Sequence, residues 1–257
     1  MQARIPLIDL ARSAALAGMV TFHLGYDLLM FDLIPRAYAG SAFFYFHARI
    51  VAGSFLVLAG LGLWLAHGQG IRWPVFWRRL FKVAGAAALV TVATRLAMPE
   101  YYVYFGILHA IALFSLVGLA ALRLPSLVTA LIAAGFIAGS YYLPGPQFDA
   151  SWLRFLGLST LSAQTIDFEP VFPWFGATLA GVALGRVGTQ LGLWARLAGV
   201  PAGRWVNWSS WPGRASSRSS RNAGRCWTPP ISARCSTCAM CRWVCTTCWS
   251  SIRTARA

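Results

Sequence analysis

Several ionisable side chains lie on one long apolar segment near the N-terminus, and this pattern limits what the chain can fold into. Residues 7–31 are mostly Leu, Ala, Val, Met, Gly and Phe, a run long enough to cross a bilayer at roughly 20 residues per helix. Charged groups are costly to bury there, so they usually face a partner or a wet cavity. At helical spacing, one narrow sector holds Asp9, Leu16, His23 and Asp27. The pattern predicts a membrane helix that carries a site.

The composition indicates a membrane protein throughout. The chain has 257 residues, of which 58% are hydrophobic and 11% charged, whereas soluble domains carry about 25% charged residues. Six apolar segments can be marked, at residues 7–31, 43–66, 79–97, 102–122, 126–143 and 171–193. The sequence therefore predicts an all-α, polytopic integral membrane protein with about six transmembrane helices.

The placement of positive charge predicts the orientation. Basic residues cluster between the second and third segments, between the fourth and fifth, and at the end of the sixth or after it: Arg72, Arg78, Arg79, Lys82, Arg123, Arg186, Arg196 and Arg204. All of them fall on the cytoplasmic side if the N-terminus is cytoplasmic, and residues 144–170 then lie outside. The net charge of +15 is explained by such regions and by a basic C-terminal tail, so we expect no nucleic-acid partner.

The chain changes character after the predicted membrane domain, which we place at residues 1–196. Residues 203–257 contain all six cysteines but no Leu, Asp or Glu. This composition is typical of a GC-rich gene translated out of frame from about residues 203–217, so we expect residues 197–257 to form an aberrant tail without a fold. The alternative is an iron–sulfur cluster, since Cys235, Cys238, Cys241 and Cys245 have suitable spacing. Thr246 replaces the proline that usually follows, and we expect no metal.

Four residues are candidates for catalysis at the outer side. His23 and Asp27 are one helical turn apart, and a carboxylate beside an imidazole suits a general base. Arg49 and His109 lie at a similar predicted depth in other segments. Each has a structural alternative, because Arg49 could neutralise Asp27 and His109 could be a core histidine. His47, also near this depth, is interpreted as an interfacial residue without a role.

Two further groups are candidates for binding. Asp167 and Trp174 lie where the sixth segment begins, at the predicted outer side. Arg78, Arg79 and Lys82 lie on the opposite face, where a phosphate-bearing donor from the cytosol would meet them. The structural alternative for these three is that they only determine topology.

Short motifs in a fixed order resemble a known family. They are R-x4-D-x2-R from Arg4, F-H-x2-Y-D from Phe22, Ala48-Arg49, Arg78-Arg79, F-G-I-L-H ending at His109, and D-F-E-P-V-F-P-W-F-G from Asp167. Together they are similar to bacterial members of the heparan-alpha-glucosaminide N-acetyltransferase catalytic-domain family. The N-terminal part also resembles membrane O-acyltransferases that modify polysaccharides.

The resemblance implies a multi-pass acyltransferase of the bacterial cytoplasmic (inner) membrane. It would move acetyl from cytosolic acetyl-CoA to an amino sugar or hydroxyl of an envelope glycan outside. In this hypothesis His23, oriented by Asp27, removes the acceptor's proton, and Arg49 or His109 stabilises the oxyanion. The donor's phosphates would be bound by basic residues, and the sugar by the outer pair. These residues are Arg12, Arg78, Arg79 and Lys82 for the donor, and Asp167 and Trp174 for the sugar.

Two other functions remain compatible with the sequence. A proton-coupled or small-molecule transporter would also use buried His, Asp and Arg, although the chain shows no internal repeat. An inactive, truncated membrane protein is the other alternative, because of the aberrant tail.

Overall fold

The computed structural model describes residues 5–38, 40–161 and 163–198, and these residues are helical with connecting loops. The helices are α1 (Pro6–Met30), α2 (Ala42–His67), α3 (Trp73–Ala97), α4 (Ile107–Ala121), α5 (Ser126–Tyr142), α6 (Val171–Gln190) and α7 (Leu193–Ala198). Apart from one bridge between Phe105 and Phe168, the described part contains no β-structure. Of the predicted tail, residues 197 and 198 end α7, and the rest lies outside the described residues.

The apolar helices confirm the prediction of an all-α membrane protein. By length and hydropathy, α1, α2, α3 and α6 can each cross a membrane. The helices α4 and α5 are apolar but shorter, with 15 and 17 residues. At 1.5 Å per residue, α4 is only about 22 Å long, against about 30 Å of hydrocarbon.

Two helix starts differ from the sequence prediction. The third helix begins at Trp73, not at residue 79, because Pro74 suits a first helical turn and the basic residues that follow remain helical. Arg78, Arg79 and Lys82 therefore lie inside α3 and not in a loop. The fourth helix begins at Ile107, not at residue 102, since residues 101–105 instead pair with the loop that precedes α6.

Helix α6 is the centre of the bundle and packs along α2 and α5. Its crossing with α2 depends on two glycines: a Cβ at Gly60 would meet the carbonyl of Thr178, and one at Gly181 would meet the carbonyl of Val57. Small residues at such crossings let membrane helices approach closely. The core around this crossing includes Leu56, Leu63, Phe114, Phe175 and Val182.

Helices α1 and α3 lie at the periphery. Large apolar side chains remain exposed on both, among them Leu16, Val20, Leu24, Leu89, Val92 and Leu96. Such surfaces are suited to contact with lipid chains, because a bilayer solvates them as well as a protein core does.

The helices run alternately in direction, so the bundle has two distinct ends. The start of α1, the end of α2 and the end of α6 meet at one end, around a shared cavity. The end of α1, the starts of α2, α4 and α6, and residues 144–170 form the other end. The predicted orientation makes the first end cytoplasmic and the second outer, and these names are used below.

Candidate active site

The outer end is organised by a contact between two loops. Residues 98–106, before α4, lie beside the segment that precedes α6. The amide N–H of Ile166 donates to the carbonyl of Tyr101 at 3.2 Å, and that of Glu169 donates to the carbonyl of Phe105 at 3.1 Å. This pairing places two carboxyl groups, those of Asp167 and Glu169, at the beginning of α4.

Asp167 caps α4 from another part of the chain. Its Oδ2 accepts a hydrogen bond from the N–H of Ile107 at 3.0 Å, where the helix dipole favours negative charge. Gly106 permits this approach, since a Cβ there would collide with the carboxylate. Burial raises the pKa of Asp167, whereas the Ile107 amide and the nearby His23 and His109 lower it.

Glu169 carries one buried carboxyl oxygen that has no hydrogen-bond partner among the described residues. This oxygen, Oε2, is inaccessible to solvent. Burial, and then the negative charge of Asp167, raise the pKa of Glu169 to about 8, although Arg49 opposes this. The two neighbouring carboxyl groups therefore differ in environment, because only Asp167 is bonded to a helix N-terminus.

Arg49 joins this group from α2. Its guanidinium carbon lies 4.5 Å from the centre of the Tyr45 ring and 6.0 Å from that of Trp174. The alternative in which Arg49 neutralises Asp27 is not observed, and among the described residues no carboxylate lies within ion-pair distance of Arg49. Its charge instead acts on Glu169. Arg49 and Trp174 thus lie close together at the outer end, and the sequence predicted both near the outer start of their helices.

His23 is exposed near the end of α1 and is oriented by the backbone. Its Nδ1 lies 2.9 Å from the carbonyl oxygen of Met19, so Nδ1 carries the proton and donates it. In the neutral ring Nε2 is then the acceptor, and it has no partner in the described part of the chain. Asp27 does not bond to His23 and is exposed. The carbonyl of Met19 therefore fixes the tautomer, which is the role predicted for Asp27.

His109 has both ring nitrogens engaged. Nε2 lies 3.1 Å from the hydroxyl oxygen of Thr91, whose own proton is donated to the carbonyl of Val103 at 2.8 Å. Nε2–H must therefore donate to Thr91, and Nδ1 accepts weakly from the N–H of Gly106 at 3.4 Å. This arrangement fits the structural alternative for His109 better than the catalytic one.

His47 connects two helices. Its Nε2 lies 3.0 Å from the carbonyl oxygen of Gly18 and 3.3 Å from the hydroxyl of Thr21. These bonds hold α2 against α1, so the geometry gives His47 a structural role.

The cytoplasmic end contains a cavity of about 660 Å³. Arg12, Gln69 and Arg72 line it, and Arg12 also pairs with Asp9 at 3.3 Å. Two indoles form part of its wall: Trp64 donates to Thr189 at 2.9 Å, and Trp194 donates to the carbonyl of Gly185 at 2.8 Å.

The other predicted donor-binding residues lie elsewhere on the bundle. Arg78 and Lys82 are exposed on α3 and do not line the cavity, and Arg79 borders a small apolar crevice between α2, α3 and α4. In the described part of the chain, no group of three His, Cys, Asp or Glu side chains is arranged to hold a metal ion. The tail cysteines lie outside that part.

The family model of the catalytic domain of heparan-alpha-glucosaminide N-acetyltransferase matches residues 4–218. The chain belongs to this family. The match covers the residues of both ends of the bundle and confirms the resemblance drawn from the short motifs. No curated protein and no solved structure matches the chain.

Three features of the two ends of the bundle were not predicted from the sequence. Glu169 appeared in the same motif as Asp167, but its burial depends on a loop pairing that no local pattern shows. Arg72 was interpreted only as a topology determinant, although it lines the cavity. The third is the bond from His23 to the carbonyl of Met19, and here the spacing is a local signal because residues four apart on a helix lie on one face.

Proposed function

We propose that this protein transfers acetyl from cytosolic acetyl-CoA to an amino sugar or hydroxyl of an envelope glycan on the outer side of the bacterial cytoplasmic membrane. Membership in the acetyltransferase family carries this proposal. The apolar helices support a location in a lipid bilayer. The donor, the acceptor and the particular membrane are parts of the proposal that the family match alone does not specify.

The cytoplasmic cavity supports a phosphate-bearing donor. Two guanidinium groups, those of Arg12 and Arg72, line a space between aromatic walls. Arginine binds phosphate oxygens in a bidentate way, and indole rings offer flat apolar surface to a heterocycle. Arg12 is therefore retained as a donor-binding residue and Arg72 is added. Arg78, Arg79 and Lys82 are retained as residues that attract an anionic donor to this end at longer range.

The outer end supports the chemistry. We assign the general base to Nε2 of His23, which has a free lone pair because Nδ1–H is bonded to Met19. As the acceptor's nitrogen or oxygen bonds to the thioester carbonyl carbon, its proton passes to Nε2. Arg49 is the better candidate for stabilising the oxyanion, since Nε2–H of His109 is used by Thr91. Asp167 and Trp174 are retained as sugar-binding residues.

Acetyl transfer by the purified chain tests the proposal. The full-length protein in detergent is incubated with acetyl-CoA labelled in the acetyl group and with glucosamine as the probe acceptor. We expect labelled N-acetylglucosamine and free CoA in equal amounts. The double variant, Arg12→Ala with Arg72→Ala, should form no product at low acetyl-CoA concentration. Uptake of glucosamine into vesicles without acetylation would instead support a transporter.

A further inference from the structure

The outer end contains a carboxyl group that the proposed mechanism leaves unused. Glu169 is held in place by its backbone bond to Phe105, and its buried Oε2 has no partner among the described residues. A buried carboxylate without a partner is costly, so such a group favours its protonated form. A neutral carboxylic acid is a proton donor at neutral pH.

A proton donor at this place would accelerate the departure of CoA. When the tetrahedral intermediate collapses, the bond between the carbonyl carbon and the sulfur breaks, and CoA leaves as a thiolate. Thiols have a pKa of about 8.5, so a donor of similar acidity can protonate the departing sulfur efficiently. In the mechanism above the acceptor's proton goes to His23, and no group is assigned to protonate the departing sulfur.

We propose that Glu169 is the general acid that protonates the sulfur of the departing CoA. This inference rests on the proposed function. The carboxyl proton of Glu169 goes to sulfur, giving free CoA, and the resulting carboxylate is protonated again by the imidazolium of His23. The acceptor thus loses one proton, CoA gains one, and His23 and Glu169 return to their starting states.

The surroundings of Glu169 agree with this role. Asp167 lies beside it, and burial and this neighbour together keep the carboxyl protonated up to a pH of about 8, its pKa. Arg49 on α2 opposes them and can stabilise the carboxylate that forms after proton donation. His23 and His109 both act on Asp167. Tyr104 precedes Phe105, whose carbonyl accepts from the N–H of Glu169. The hydroxyl of Tyr104 is also buried without a partner among the described residues.

The test compares Glu169→Gln, Glu169→Asp and a control, Glu100→Gln, in the full-length protein. Glu100 is an exposed acid on the link between α3 and α4. The turnover number is measured from about pH 6 to about pH 10 with acetyl-CoA and glucosamine. For the wild type and for the control we expect a decrease above a pH of about 8, the pKa of Glu169.

For Glu169→Gln we expect a turnover number about 10²–10⁴-fold lower than that of the wild type, because glutamine cannot donate the proton. For the same reason, the turnover number of this variant should not decrease above that pH. Glu169→Asp keeps a carboxyl group and should retain the decrease at an intermediate rate, which a purely structural role would not produce. Acetyl-CoA binding, measured in parallel, checks that each variant is folded.

A Glu169→Gln protein with most of the wild-type rate would overturn the inference, as would one that is slow but still loses activity above the same pH. If Glu169→Gln does not fold, the pH profile of Glu169→Asp tests the inference. A turnover number for Glu169→Asp that does not decrease at high pH would contradict the role of Glu169 as general acid. A wild-type protein without any transfer contradicts the proposed function and, with it, the role of Glu169.

Discussion

At the scale of single residues, the hydrogen bond from His23 to the carbonyl of Met19 determines which ring nitrogen can act. Replacing His23 with Ala should lower acetyl transfer about 10²–10⁴-fold, because the general base is lost. Replacing Asp27 with Asn should change the rate much less, since the backbone keeps the imidazole oriented. Initial rates with labelled acetyl-CoA measure both effects. A His23→Ala protein that keeps most of its activity would contradict the proposed base.

A second prediction at this scale concerns the effect of Glu169 on stability. In the unfolded chain its pKa returns to the ordinary value of 4.5, whereas in the folded protein the pKa is about 8. Between these values the folded state keeps a proton that the unfolded state has lost. The contribution of Glu169 to stability is therefore fully present below pH 4.5 and is lost as the pH rises through the folded pKa. The total decrease is on the order of 5 kcal/mol.

The thermal unfolding midpoint in detergent, measured from about pH 5 to about pH 9, tests this sign. The midpoint of the wild type should fall with rising pH, and that of Glu169→Gln should fall much less. Glu100→Gln, at an exposed position, should keep the wild-type slope. Equal slopes in all three proteins would show that Glu169 does not hold its proton in the folded state.

At the scale of elements, the crossing of α2 and α6 is predicted to be the most sensitive contact. Gly181→Ala places a methyl group against the carbonyl of Val57, and such overpacking typically costs about 1–3 kcal/mol. The matched control is Gly85→Ala on α3, where a Cβ meets nothing within 4 Å. Removal of a helical glycine should stabilise the control by roughly 1 kcal/mol. Thermal unfolding of both variants checks whether the changes have opposite signs.

The helices themselves could be predicted from the sequence, because long apolar runs are local signals. Six apolar segments correspond to α1–α6, and most boundaries agree within a few residues. The start of α3 differs from the prediction, since Arg78, Arg79 and Lys82 are helical and not loop residues. Long basic side chains at a helix end can reach the interface while the backbone stays helical.

The arrangement of the outer end could be predicted only in part. Because successive apolar helices alternate in direction, the sequence places Arg49 and Trp174 at the same end of the bundle, where the structure has them. The pairing of residues 101–105 with the loop before α6 is a long-range contact. It decides which acid caps α4 and which has a buried oxygen without a hydrogen bond to a described residue. Neither the partner of Asp167 nor the isolation of Glu169 follows from local spacing.

At the scale of the whole molecule, the two ends of the bundle differ in charge. The cavity end has Arg12 and Arg72, and the opposite end has the acidic pair Asp167 and Glu169. Basic residues favour the cytoplasmic side of a membrane, so the asymmetry supports a cytoplasmic N-terminus. The proposed reaction needs the same orientation, because acetyl-CoA is cytosolic and the envelope glycan is outside.

The last prediction tests that orientation. A cysteine is introduced at Ala150, an exposed position in the loop between α5 and α6, in a background where the six native cysteines are replaced by serine. The loop should face the outside, so a membrane-impermeant maleimide should label it on intact cells with a permeable outer membrane. A cysteine at Gln69, which lines the cavity, is the matched control and should be labelled only after lysis. The reverse pattern would place the cavity outside, where no acetyl-CoA is available, and would contradict both the orientation and the proposed direction of transfer.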